Sequence, residues 1–127
     1  MMLRGNVRRF GGALYPVRAV HLFGDSGIPA RLEAVIDTGF SGLMTLPATT
    51  VEQMRLPKVG EARAFLADGI EREYSLYRVD VDWFGESRPI EVLCMGRFPL
   101  LGMAMMEGLD LPISVEDDGE IALTDTV

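Results

Sequence analysis

Val35-Ile36-Asp37-Thr38-Gly39-Phe40-Ser41-Gly42 decides how this chain is read. The stretch from Leu32 to Ile36 has the apolar weight of a strand, and Asp37 stands at its end. Thr38, Gly39 and Gly42 then turn the backbone sharply. Such a junction presents the Asp37 carboxylate at the rim of a sheet, beside backbone N–H groups and a hydroxyl. A carboxylate held there suits acid/base work or the gripping of a substrate. The same residues also fit a plain Gly-containing turn in which Asp accepts local hydrogen bonds.

Upstream, Tyr15 to Phe23 alternates as a strand, with Tyr15, Val17, Ala19, His21 and Phe23 on one face. Gly24-Asp25-Ser26-Gly27 is a dense turn signal, and Ile28 to Ile36 returns as the second arm of a hairpin. Downstream, Gly42 to Leu46 reads as a short strand closed by Pro47. Ala48 to Leu56 reads as a helix ended by Pro57. Ala62 to Leu66 and Glu71 to Val79 flank Ala67-Asp68-Gly69, a hairpin signal. The second arm continues to Trp83, Phe84 to Pro89 is expected to turn, and Ile90 to Met95 returns. Pro99-Leu100-Leu101-Gly102 approaches a glycine, Met103 to Gly108 is expected to be a short helix, and Leu109 to Val115 with Glu120 to Leu123 forms a last hairpin. Short strands, Gly and Pro turns and one or two short helices give an all-β class, a small closed barrel or sandwich. No linker divides residues 1–127, so one domain is expected, with 1–12 as a flexible arm.

Composition narrows the functions. The net charge of −7 argues against nucleic acid, since the basic residues cluster only at Arg4, Arg8 and Arg9. No apolar run reaches the ~18 residues of a membrane span, and the N-terminal segment lacks a secretory pattern. The single cysteine, Cys94, excludes an intrachain disulfide and fits a cytoplasmic location. One Cys and one His, His21, cannot build a structural zinc site within the chain. Both lie in strand patterns and are expected to be non-catalytic.

Three features in fixed order carry a resemblance. Ile36-Asp37-Thr38-Gly39-Phe40-Ser41-Gly42 follows an apolar strand, a hairpin tipped by Asp68-Gly69 comes next, and Leu100-Leu101-Gly102-Met103 closes the series. This succession resembles the retropepsin-like aspartic proteases, in particular small prokaryotic single-domain members, from about Tyr15 to Leu123. The resemblance implies a small closed acid-protease barrel carrying half an active site. It implies a homodimer whose two Asp37 residues meet across a two-fold axis, a peptide or protein substrate, and no cofactor or metal. Thr38 matches the position whose hydroxyl locks the dyad, and Gly39 the position whose backbone lies beside the substrate. Ser41 matches a substrate main-chain contact, with turn capping as its other reading. Asp68 and Gly69 match a flap tip. Leu66, Ile70, Leu100, Leu101 and Gly102 are candidate substrate contacts, with core packing as the competing reading of the leucines and Ile70. Phe40 stands where pepsin-type relatives carry a hydroxyl. Met103-Ala104 replaces the basic-acidic pair that ties retroviral dimers together, so the terminal segments and the surroundings of Thr38 are the expected interface. The alternatives are a non-catalytic dimerisation or peptide-binding module on the same fold, and a small regulatory β-barrel.

Overall fold

The computed structural model describes residues 1–65 and 68–125. The elements are β1 (Met2–Phe10), β2 (Ala13–Phe23), β3 (Pro29–Ile36), β4 (Met44–Leu46), α1 (Ala48–Met54), β5 (Lys58–Phe65), β6 (Glu71–Trp83), β7 (Glu86–Cys94), β8 (Leu100–Leu101), β9 (Leu109–Asp110) and β10 (Glu120–Asp125). They form one ten-stranded mixed sheet in the order β5-β6-β7-β4-β8-β3-β2-β1-β10-β9. An extra pairing of β6 with β2, Leu22 opposite Val81 and Phe23 opposite Asp80, closes the middle of that order into a ring. The all-β class with a short helix is therefore correct. No helix among the described residues is long and apolar enough to cross a membrane.

The ring exists because its strands have apolar residues to enclose. Leu22, Leu46, Val81, Val92, Leu101 and Leu123 are each 0% exposed. Burying a side chain of this size contributes about 1.5–3 kcal/mol before chain entropy is counted. In β2 the buried residues are Val17 on one face and Val20 and Leu22 on the other. The strand thus changes its core-facing side midway, where β6 begins to cover it. His21 and Phe23, grouped with Val17 by alternation, are exposed for this reason.

Three expectations are corrected. Residues 1–12 do not form a loose arm, because β1 pairs with β10 from Met2 opposite Thr124 to Asn6 opposite Glu120, and with β2 from Asn6 to Phe10. The turn after Trp83 is two residues long. Phe84 (φ 55°) and Gly85 (φ 80°) take left-handed backbone and Trp83 pairs with Glu86, the geometry that matches strand twist in a tight hairpin. Pro89 therefore lies inside β7, opposite Asp80. It is tolerated because β7 meets β4 only at Leu93 and Cys94, so the missing N–H interrupts no ladder. Met103 to Gly108 is a run of turns rather than a second helix. Its backbone bonds reach three residues back, from Met105 to Gly102, Met106 to Met103 and Leu109 to Met106.

The closure makes Leu22 a sensitive position. Leu22→Ala leaves a cavity between β2 and β6 and is expected to cost about 3 kcal/mol in urea unfolding. A loss under about 1 kcal/mol would mean that the ring is not packed as described.

Candidate active site

Asp37 is the residue after β3, and its place depends on β8. That two-residue strand lies parallel to β3, with Val35 opposite Leu100 and Ile36 opposite Leu101, and antiparallel to β4, with Met44 opposite Leu101. Two bonds outside the ladder complete the seam. The Val35 N–H donates to the Pro99 carbonyl at 2.9 Å, and the Asp37 N–H to the Leu101 carbonyl at 2.9 Å. Asp37 Oδ1 accepts the Gly39 N–H at 2.8 Å, and the Asp37 carbonyl accepts the Phe40 N–H at 3.2 Å. The carboxylate is half-buried, and among the described residues its second oxygen takes no hydrogen bond. Thr38, Gly39 and Ser41 are exposed around it.

The far side of the loop is clamped by the chain after β8. Gly102 donates to the Leu43 carbonyl at 2.9 Å, Met103 to Phe40 at 2.8 Å and Ala104 to Gly42 at 3.2 Å. This contact requires glycine. A Cβ on Gly102 would stand 2.1 Å from the Gly42 carbonyl oxygen and 2.6 Å from the Phe40 ring. A Cβ on Gly42 would stand 2.6 Å from the same ring. Phe40 therefore acts as a cover over two bare backbones, a role its neighbours in sequence do not disclose. Thr45 is a second residue that sequence reasoning missed. It is 0% exposed and its Oγ1 accepts the Leu100 N–H at 3.1 Å, which pins β8 to β4. A polar residue in the middle of an apolar strand was the available signal.

The other candidate residues separate. Leu100 is half-buried, whereas Leu101 is wholly in the core. Leu101 thus contributes its carbonyl to Asp37 and its side chain to packing, not to a pocket wall. Gly102 is buried and serves the loop clamp. On the β5–β6 hairpin the last paired residues are Phe65 and Glu71. The connection is therefore longer than a two-residue Asp-Gly turn. Leu66 lies outside the described residues. Asp68 accepts the Ile70 N–H at 2.9 Å through one oxygen and Arg72 at 2.9 Å through the other. Gly69 has φ 75°, and Asp68, Gly69 and Ile70 are exposed. Lower on the hairpin, a hydrogen bond with Glu73 and the Lys58 ammonium hold the Glu61 carboxyl below the usual range, and the bond to Glu61 pushes Glu73 up.

Beside the loop lies an apolar recess of about 160 Å³ lined by Phe10, Tyr15, Val35 and Phe98. Val35 is the residue two before Asp37, and the other three come from β1, β2 and the segment before β8. The recess was not foreseen, because three separate stretches of chain meet only in the fold. Cys94 is half-buried at the end of β7, and burial, then Glu52, pushes its thiol up, so it supplies no ready thiolate. Among the described residues no group of three or more His, Cys, Asp or Glu is arranged to hold a metal ion.

The clamp makes a direct prediction. Gly102→Ala is expected to cost about 2 kcal/mol or more, because backbone rather than a flexible side chain stands in the way. Adding Phe40→Ala should not rescue it, since the Gly42 carbonyl remains. Unfolding midpoints of the two variants decide this; full rescue by the second substitution would show that the ring alone sets the limit.

Comparison with known proteins agrees with the architecture. No protein-family model matches the sequence, and no curated protein matches it. Two solved structures do. The EIAV protease complexed with the inhibitor HBY-793 superposes with a TM-score of 0.59 at 16% identity, covering 78% of this chain and 91% of that one. A retropepsin-like aspartic protease from Rickettsia conorii superposes with a TM-score of 0.55 at 15% identity, covering 98% of this chain and 92% of that one. The closed ring, the Asp37 loop and the inserted strand β8 are thus parts of a retropepsin-like fold.

Proposed function

We propose that this chain is one half of an aspartic endopeptidase that works as a homodimer. The observation that carries the proposal is the Asp37 carboxylate. It is fixed through Oδ1 by Gly39, open at its other oxygen, and set in a retropepsin-like fold that offers one Asp-Thr-Gly per chain. Two such carboxylates brought together across a two-fold axis cannot both ionise cheaply, so the pair shares one proton. The unprotonated Asp37 takes a proton from a bound water, which attacks the scissile carbonyl. The protonated Asp37 of the other copy polarises that carbonyl and afterwards hands its proton to the leaving amine. Thr38 and Gly39 hold the loop and the dyad. Ser41, Ile70 and Leu100 contact the peptide, and the hairpin tip around Asp68 and Gly69 covers it.

Asp37→Asn is expected to keep the fold and lower peptide cleavage by about 10²-fold to 10⁴-fold or more. Excess Asp37→Asn chains mixed with the parent should suppress the parent's activity, since a mixed pair lacks one acid. Undiminished cleavage by the Asn variant would remove the mechanism.

The recess beside Val35 suits a large apolar substrate side chain. Phe98 is 64% exposed, so Phe98→Asp should leave stability nearly unchanged. It is expected to lower kcat/KM for apolar peptides by about 10-fold to 100-fold, the range a lost hydrophobic contact gives. A change below about twofold would take the recess off the substrate path.

A further inference from the structure

The arginines near the start of the chain are sorted by the fold onto different faces. On β2, Val17 lies opposite Asn6 of β1 and Val35 of β3, and Ala19 lies opposite Glu33. Residues opposite one another, or two apart along a strand, share a face of the sheet. Arg4 and Arg8 of β1, Ala19 of β2, and Glu33 and Arg31 of β3 therefore stand on the face that also carries Phe10, Tyr15 and Val35. Those three line the apolar recess beside the Asp37 loop. Arg9 falls on the other face by alternation and pairs with Asp117.

Further along this face, away from Asp37, lies a second recess of about 180 Å³. Arg4, Arg8, Arg18 and Arg31 line it, and Glu33 is the one carboxylate among the described residues around it. A third of the twelve basic residues of a chain with net charge −7 thus meet at one place. Two of the four are met by carboxylates. Arg8 pairs with Glu33 across β2 at 3.1 Å, and Arg4 pairs with Glu120. Arg31 is exposed, and its guanidinium has no ion-pair or hydrogen-bond partner among the described residues. Arg18 belongs to the opposite alternation of β2 and enters beside Gly5, where the pairing of β1 with β2 has stopped at Asn6. It donates through one terminal nitrogen to the Arg4 carbonyl, while its Nε is buried without a partner. Burial depresses its pKa, and Asp82 only works against this. An anion brought into the recess would offset that desolvation.

We propose that this recess binds an acidic side chain of the same peptide whose apolar side chain occupies the recess beside Val35. The proposal deepens the protease reading and rests on it for the peptide. Guanidinium groups present paired donors that match a carboxylate. The span between the two recesses sets the spacing. From Val35 to Arg31, β3 covers four residues, about 13 Å at about 3.3 Å each. An extended peptide advances by the same rise, so its acidic residue stands four or more positions from the apolar one. A long polyanion such as a nucleic acid fits less well, because the acidic surface of the rest of the chain repels it. A short acidic segment meets the arginines alone.

Binding is measured by fluorescence anisotropy in an Asp37→Asn background, so that no cleavage intervenes. Two labelled peptides share one Phe and differ only four and five residues beyond it, with Glu-Glu in one and Gln-Gln in the other. A second pair carries the same residues before the Phe. At low ionic strength the acidic member of one pair is expected to bind about fivefold tighter than its Gln counterpart. The difference should vanish in about 1 M salt, where the Debye length is about 3 Å. Arg31→Gln should at least halve the ratio and Arg31→Glu should abolish it. Arg78→Gln, which removes an exposed charge from β6, should keep it. Equal affinities within both pairs, binding of no peptide, or an Arg31→Glu chain with the parent's ratio would overturn the proposal. Displacement of the acidic peptide by a thymidine oligonucleotide at lower concentration than by unlabelled peptide would overturn the choice of a peptide. The chain with native Asp37 separates this proposal from the protease reading. Cleavage of the peptides of each pair at equal kcat/KM would overturn the acidic subsite and leave the protease standing. Acid-selective binding with no cleavage would leave the subsite standing and remove the protease.

Discussion

The position of Asp37 depends on a strand of two residues. β8 lies between β3 and β4, and the Leu101 carbonyl receives the Asp37 N–H. The glycine after it must have no side chain, because the Gly42 carbonyl occupies that space. The strand has too few residues to be stable alone. It is held by a ladder on each side, by Thr45 and by the burial of Leu101. The carboxylate is thus positioned by main-chain bonds in a packed setting, the kind of rigid support that a reacting group needs.

The surface around this support is not uniform. The β5–β6 hairpin is edged by charges and its tip is tied by both oxygens of Asp68. The recess at Phe10, Tyr15 and Phe98 is apolar. The edge beyond β9 alternates apolar Leu109, Leu111, Ile113 and Val115 with Asp110, Pro112 and Ser114. These three different surfaces lie on separate elements of one small sheet.

Much of this was legible in the residues. The Asp37 loop, α1 and the strands β2, β3 and β6 announce themselves by local alternation and by Gly and Pro. Leu100-Leu101-Gly102 was visible as an apolar approach to a glycine, but its insertion between β3 and β4 was not, since that pairing joins remote stretches. β1 was hidden for the same reason. Its arginines read as a solvated arm, yet Arg4 pairs with Glu120 on β10, Arg8 with Glu33 on β3 and Arg9 with Asp117 in the turn before β10. Phe84 at positive φ ran against the preference for glycine or asparagine in such turns. Its ring packs edge-on against Trp83, an interaction that propensity does not count. Leu101 was open to two readings from sequence, and burial decides for the core.

The pairing of β1 with β10 also governs when the molecule becomes complete. Arg4 and Glu120, in contact across these strands, are 116 positions apart. Contacts of such span are the slowest to form, because the intervening chain must be ordered before they repay its entropy. On the ribosome, β1 waits for the last of the ten strands to emerge. Until then its outer edge and the place of β9 stay unfilled, although the segments that build the Asp37 loop have already been made. Synthesis therefore orders the events, with the Asp37 loop made first and the pairing of β1 with β10 last.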